Sequence, residues 1–296
     1  GWGKAWRIGL QARLLNAPAA YLIHTNMLAR DVSTNLMFTD VNNRQCDGIF
    51  GSLGSVAEML LQSHAGELLL LPALPPKWTN GLISGLCARG GFEVSIQWQS
   101  NRLASASILS RLGNRCRVRS KWPIRVQLGS NFVDAPMILP GLREFPTVVG
   151  NSYTILPAYV RETEQLPATA TAGAAHGLVT NAMCSEARGT KLSANAAGDS
   201  VTYTVPNVTA GTYRVRVVAD AGADRSRFQL ACGPGGGTLT NLGSMQDTYS
   251  ATNCITLYST NLLTELDCGS WTAPADGPYQ FRFTITDRNP ASAGNG

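Results

Sequence analysis

The chemistry in this sequence falls to a small set of side chains. Asp47 lies in the run Gln45-Cys46-Asp47-Gly48-Ile49-Phe50-Gly51. Gly48, Gly51 and Gly54 let the backbone turn sharply there. A helix expected from about Ser55 to Ser63 would place its N-terminus close by, where negative charge is favoured. A carboxylate held in this way is suited to taking a proton from water. Asp-Gly is also a common turn pair, and on spacing alone the turn reading is the stronger. Glu58, on the same helix, reads as a solvent-facing or capping residue. Trp2 and Trp6 stand one helical turn apart and could line a sugar subsite with their rings, although core packing is the commoner use of that spacing. In the last third, Tyr249, Tyr258 and Trp271 are candidate stacking platforms, with Asp220, Asp224, Asp247 or Asn253 as polar partners. Each fits core or turn equally well. His24 and His64 are too scattered for a metal site.

Three zones position these residues. Trp2, Trp6, Leu10 and Leu14 recur at four-residue steps, which predicts a helix, and Ala19–Leu28 predicts a second. A loop rich in Asn, Asp and Gly is expected from Arg30 to Gly54. Three helices cannot bury their own apolar faces, so the helical zone reads as incomplete. From about Leu68 the period changes to two: Phe92, Val94, Ile96 and Trp98 alternate with Glu93, Ser95 and Gln97. Ala104–Ser110, Arg115–Arg119, Ile124–Leu128, Thr147–Val149 and Tyr153–Leu156 predict further strands of a sandwich. Residues 161–175, aperiodic and rich in Ala, Thr and Pro, read as a linker. Val201–Val205, Tyr213–Val217, Phe228–Ala231, Asn253–Tyr258 and Tyr279–Thr286 then predict a second sandwich of jelly-roll type. The expected domains are therefore 1–67, 68–160 and 176–296, with the linker at 161–175. The fold class is multi-domain α + β.

Composition removes several function classes. The chain has 296 residues, 44% hydrophobic and 15% charged, with a net charge of +5. That content supports packed cores, and no Lys/Arg cluster matches the density that phosphate-backbone binding needs, so nucleic acid is not an expected partner. The apolar run Leu68 to Leu74, with Pro72 inside it, is too short to span a bilayer, so no membrane partner is expected. The oligomeric state cannot be read. Seven cysteines without a CxxC pair, three of them in the last third, suggest one or two disulfides there. With the sequon Asn207-Val208-Thr209, this points to a secreted or extracytoplasmic protein.

The helical run from Trp2 to Leu14, Gln45–Gly51, and Ala57-Glu58-Met59-Leu60-Leu61-Gln62-Ser63-His64 resemble glycoside hydrolase family 95, the inverting α-L-fucosidases. So do Leu70-Leu71-Pro72-Ala73-Leu74-Pro75, Trp78, Gly85-Leu86 and Ala88-Arg89-Gly90-Gly91-Phe92-Glu93-Val94. The resemblance implies the closing helices of an (α/α) barrel followed by a β-sandwich, hydrolysis of terminal α-L-fucosyl or α-L-galactosyl linkages, and a glycan substrate. No cofactor and no metal at the site are expected. Asp47 matches the family's base, while the general acid and two assisting Asn belong to a part before Gly1. Ile49 departs from the family's Asn and would remove a polar group from the pocket. His64 would tie barrel to sandwich, and Arg89 would anchor a loop. The last zone resembles carbohydrate-binding modules of families 6 and 35 through Ala197–Val205, Ala210–Tyr213, Asp267–Gly269, Phe281–Thr286 and Asn289–Ser292. That type continues into a strand with an Asp-Tyr pair beyond Gly296, so the chain reads as cut at both ends. The alternative reading is a non-catalytic carbohydrate-binding or structural fragment with a degenerate hydrolase site.

Overall fold

The computed structural model describes residues 2–33, 38–40, 43–44, 46–139, 141–158, 161, 163–180, 188–194, 196–223, 225–250 and 262–292. They form two compact units, Gly1–Tyr159 and Val160–Gly296. Among the described residues the architecture is mostly β, with three α-helices at the start. None of the helices is long and apolar enough to cross a membrane.

The helices are α1 (Trp2–Arg13), α2 (Ala17–Asp31) and α3 (Cys46–Leu60). At the end of α1, Leu15 N–H donates to Ala12 O and Asn16 N–H to Gln11 O, closing the helix with Leu15 in the left-handed region at φ 58°. Asn16 then caps α2 by accepting from Ala19 N–H, and Pro18 sits in the first turn, where its missing N–H costs nothing.

Helix α3 begins nine residues earlier than the Ser55 start expected from sequence, so Asp47 lies in its first turn rather than in a loop before it. The physical reason lies in the glycines. A Cβ on Gly51 would stand 3.1 Å from Cβ of Ala5, and one on Gly9 would stand 3.0 Å from Ser55 Oγ. Gly51, which looks like a turn former, instead joins Gly9 in the small face that lets α1 and α3 approach closely. Ala5, Ile8, Ala12, Ala20, Met27 and Met59 complete this core.

Unit 1 continues with the two-residue strands β1 (Thr39–Asp40), β2 (Asn43–Arg44) and β3 (Leu61–Gln62), then β4 (Leu68–Leu70), β5 (Gly81–Ala88), β6 (Phe92–Gln99), β7 (Arg102–Ser110) and β8 (Cys116–Ser120). It ends with β9 (Ile124–Leu128), β10 (Asn131–Val133), β11 (Met137–Leu139), β12 (Leu142–Phe145) and β13 (Ser152–Pro157). Sheets of order β10-β9-β13-β7-β6-β5 and β11-β12-β8-β4-β3 enclose Val94, Ile96, Ile108, Val118, Phe145 and Ile155. Thr147–Val149, expected as a strand, is a loop: Val148 and Val149 are exposed, and Val148 N–H donates to Tyr153 Oη. Helix and sandwich are joined through hydrogen bonds. The last carbonyls of α3 accept from the Gln62 side chain (Glu58 O), Ala73 N–H (Met59 O) and Leu71 N–H (Leu60 O).

Unit 2 holds a short 3-10 turn, Thr163–Gln165, and β14 (Ala168–Ala170), β15 (Ala175–Thr180), β16 (Arg188–Ser193), β17 (Ser200–Val208) and β18 (Gly211–Ala221). It closes with β19 (Ser226–Pro234), β20 (Thr240–Asp247), β21 (Leu262–Ala273) and β22 (Gly277–Arg288). Within the aperiodic stretch 161–175, Ala168–Ala170 pairs with β17 as the edge strand of the sheet β14-β17-β22-β19-β20. The ribbon β18-β21 packs over that sheet around Phe228, Leu230, Leu242, Trp271, Phe281 and Phe283. Strands β17 and β18 are consecutive, yet they lie in different layers. Cys232 and Cys268, two of the three cysteines among which one or two disulfides were expected, are free thiols in this core, and burial pushes the pKa of each up to about 11. They act as small hydrophobes. Asn253–Tyr258, with Cys254, and also Cys184 lie outside the described residues.

Candidate functional site

The contacts between α1 and α3 fix where the candidate residues stand. Ala5 meets Gly51 and Ser55, Gly9 meets Ser55, and Arg13 meets Glu58, so the two helices run in the same direction. The first turns of both therefore lie at one end. At 3.6 residues per turn, Trp2 and Trp6 fall about 20° to either side of Arg13 on α1, and Asp47 falls about 20° from Glu58 on α3. Arg13 grips Glu58 with two hydrogen bonds of 2.8 Å. Trp2, Trp6 and Asp47 therefore share the flank marked by that ion pair, at its N-terminal end. Trp2 is 58% exposed and Trp6 64%, so neither is the core residue that its spacing favours. The face of α1 that packs is Ala5, Ile8 and Ala12.

Asp47 is exposed, and its Oδ1 accepts from Gly48 N–H at 2.9 Å. In the first turn it lies where the helix dipole favours an anion. Ile49 is half-buried and packs on the helical core, so its apolar side chain serves packing. Glu58 is the other carboxylate of α3, and α1 has none. Eleven residues separate it from Asp47, which at ~1.5 Å per residue is about 16 Å along the axis. Inverting hydrolysis needs its two carboxyl groups roughly 6.5–9.5 Å apart, so Glu58 cannot serve as the acid for Asp47.

Other expectations are redistributed. His64 is exposed. The ties it was expected to make come from its neighbours: Gln62 donates to Ala12 O at 2.9 Å and Glu58 O at 3.0 Å, and Ser63 Oγ accepts from Arg89 N–H. His24 contacts the edge of Trp78 at 6.4 Å and approaches Ser52 Oγ at 3.5 Å, and burial lowers its pKa. In unit 2, Trp271 is half-buried, stacked on Tyr213 at 5.9 Å and edge-on to Tyr279 and Phe281, which is a packing role. Tyr249 is half-buried beside Gly222, and its N–H donates to Asp247 Oδ1. Burial works to raise the Asp247 carboxyl, but this bond, Asn289 and Arg227 hold it below its ordinary range. Asp224, Asn253 and Tyr258 lie outside the described residues. Sequence reasoning missed the Arg13–Glu58 pair and the amide of Gln62. Their positions on the helices were visible, but which way the side chains turn was not.

Comparison with known proteins places much of this framework. Residues 62–155 match the family described as "Glycoside hydrolase family 95, C-terminal domain". The matched segment comprises the two sheets of unit 1 from Gln62 to Ile155. An "Alpha-L-fucosidase 2" of Arabidopsis thaliana is 41% identical over 121 residues, covering 37% of this chain and 14% of its own length. A "Probable alpha-fucosidase A" of Aspergillus oryzae is 28% identical over 134 residues, covering 40% of this chain and 18% of its own. The chain thus spans between 14% and 18% of the length of these two relatives.

Proposed function

We propose that this chain is part of a secreted glycoside hydrolase that removes terminal α-L-fucosyl or α-L-galactosyl residues with inversion. In this reading Asp47 is the base that activates water, and Trp2 and Trp6 form a stacking platform beside it. The observation that carries the reading is the shared flank: an exposed carboxylate and two exposed indoles at one end of a helix pair, attached to a family 95 domain. Apolar sugar faces pack on indole rings, and a nearby carboxylate then acts on water at the anomeric carbon. The exposed apolar faces of α1 and α3 agree with a larger helical ring of (α/α) type. Unit 2 acts as a carbohydrate-binding module of jelly-roll type, with Tyr249 and Asp247 as its contact residues.

The test uses the longer protein that carries this chain, assayed on a chromogenic α-L-fucoside with the product anomer followed by NMR. Asp47→Asn should lower kcat by about 10²–10⁴-fold, the usual worth of a general base. Full retained activity, or product of retained configuration, overturns the assignment. For the chain by itself, the distance between Asp47 and Glu58 favours a second reading: glycan binding without hydrolysis. Measurable fucoside hydrolysis by the isolated chain would contradict it.

A further inference from the structure

We propose a second saccharide subsite, in the pocket where the end of α1 meets β3 and the turn after it, separate from the Asp47 flank. The pocket is an open depression of about 180 Å³, lined by Arg13, Leu15, Gln62, His64, Glu67 and their neighbours. Its decisive feature is an unanswered acceptor. Gln62 is 3% exposed, and both bonds of its side chain come from the amide nitrogen, to Ala12 O and Glu58 O. With the nitrogen turned to the helix carbonyls, the amide oxygen has no donor among the described residues, and Gln62 lines the pocket. A buried acceptor without a donor is costly, and native structures rarely leave one.

The surrounding groups specify what would answer it. Arg13 uses Nε and Nη2 on Glu58, which leaves Nη1 as a donor. His64 is exposed and offers ring nitrogens. Glu67 accepts from Nε and Nη2 of Arg119, so a carboxylate stands at the wall with its charge matched. A ligand must therefore give a hydrogen to Gln62 Oε1 and accept from Arg13 or His64. One hydroxyl group does both, and neighbouring hydroxyls on a ring do so at two points. An anionic group in place of that hydroxyl would have no hydrogen to give and would set its charge against the Gln62 oxygen. Leu15 and Leu69 supply apolar wall for a ring face. The occupant is thus a neutral, polyhydroxylated ring, and the site does not depend on Asp47 being a catalytic base.

The test is titration of the full chain with methyl α-L-fucoside, methyl α-L-galactoside, methyl β-D-galactoside and sodium glucuronate, followed by ¹H–¹⁵N NMR of the Gln62 side-chain amide. A saturable shift with at least one neutral glycoside is expected, unchanged in Asp47→Asn. Ala65→Trp, which fills the pocket and keeps both Gln62 bonds, should abolish the shift. Gln62→Met, followed by the backbone amides of His64 and Glu67 at the pocket wall, should weaken binding about five- to tenfold, the worth of one hydrogen bond. No saturable shift with any neutral glycoside, a shift with glucuronate alone, or unaltered binding in Ala65→Trp overturns the proposal.

Discussion

Ser55 Oγ donates to Ala5 O at 2.8 Å, tying the middle of α3 to the first turns of α1 across a contact that has no room for a larger side chain. Gly51 faces Ala5 within this contact, whereas a Cβ on Gly54 would meet nothing within 4 Å. Gly51→Leu should therefore cost about 1–3 kcal/mol through overpacking. Gly54→Ala should add about 0.5–1 kcal/mol of helix propensity. Urea unfolding of the two variants reads the opposite signs, and a stable Gly51→Leu protein would mean that the helices are not this close.

Leu15 holds the left-handed position at the end of α1, where glycine is the usual occupant. Leu15→Gly should raise stability by about 1 kcal/mol by relieving the backbone. Thermal unfolding monitored by circular dichroism at 222 nm is the measurement, and a lower Tm would contradict this account.

Burial lowers the pKa of His24 against Trp78. A group whose folded pKa lies below its unfolded value gives stability that is complete above the unfolded pKa, near 6.5, and is lost as pH falls through the folded value. Unit 1 should therefore weaken as pH drops below about 6.5. His24→Phe should flatten that part of the profile. An identical pH dependence of Tm in the variant would show that another group is responsible.

In unit 2, Gly243 takes φ 62°, and a Cβ there would lie 2.3 Å from Cys268 O, a backbone atom that cannot swing aside. Gly243→Ala should cost roughly 2–4 kcal/mol, combining left-handed strain with the clash. Gly236→Ala also sits at positive φ but meets nothing within 4 Å, so it isolates the strain alone. Chemical unfolding followed by tyrosine and tryptophan fluorescence separates the two. Equal losses would remove the clash from the account.

Of the strands of the first sandwich, β6, β7, β8, β9 and β13 were legible, most directly where period-two burial is written in Phe92–Gln99 and Ile124–Leu128. β5 was not: its exposed Leu82 and its bulge between Ile83 and Leu86 break the alternation. The start of α3 was hidden because glycine signals a turn and a tight helix contact equally well, and only the partner helix decides between them. Asp47 was legible by type and motif, yet its place in a first turn depended on that same contact. Trp6 shows the converse: periodicity identified the helix correctly, but could not tell which of its apolar faces would be covered.

The hydrogen bonds that close α3 come from beyond it, from Gln62, Leu71 and Ala73. During synthesis the helix leaves the ribosome before the residues that finish it. Its final turn stays frayed until a further dozen amino acids have emerged. A ribosomal pause in that interval would hold the growing chain with its helices started but not locked.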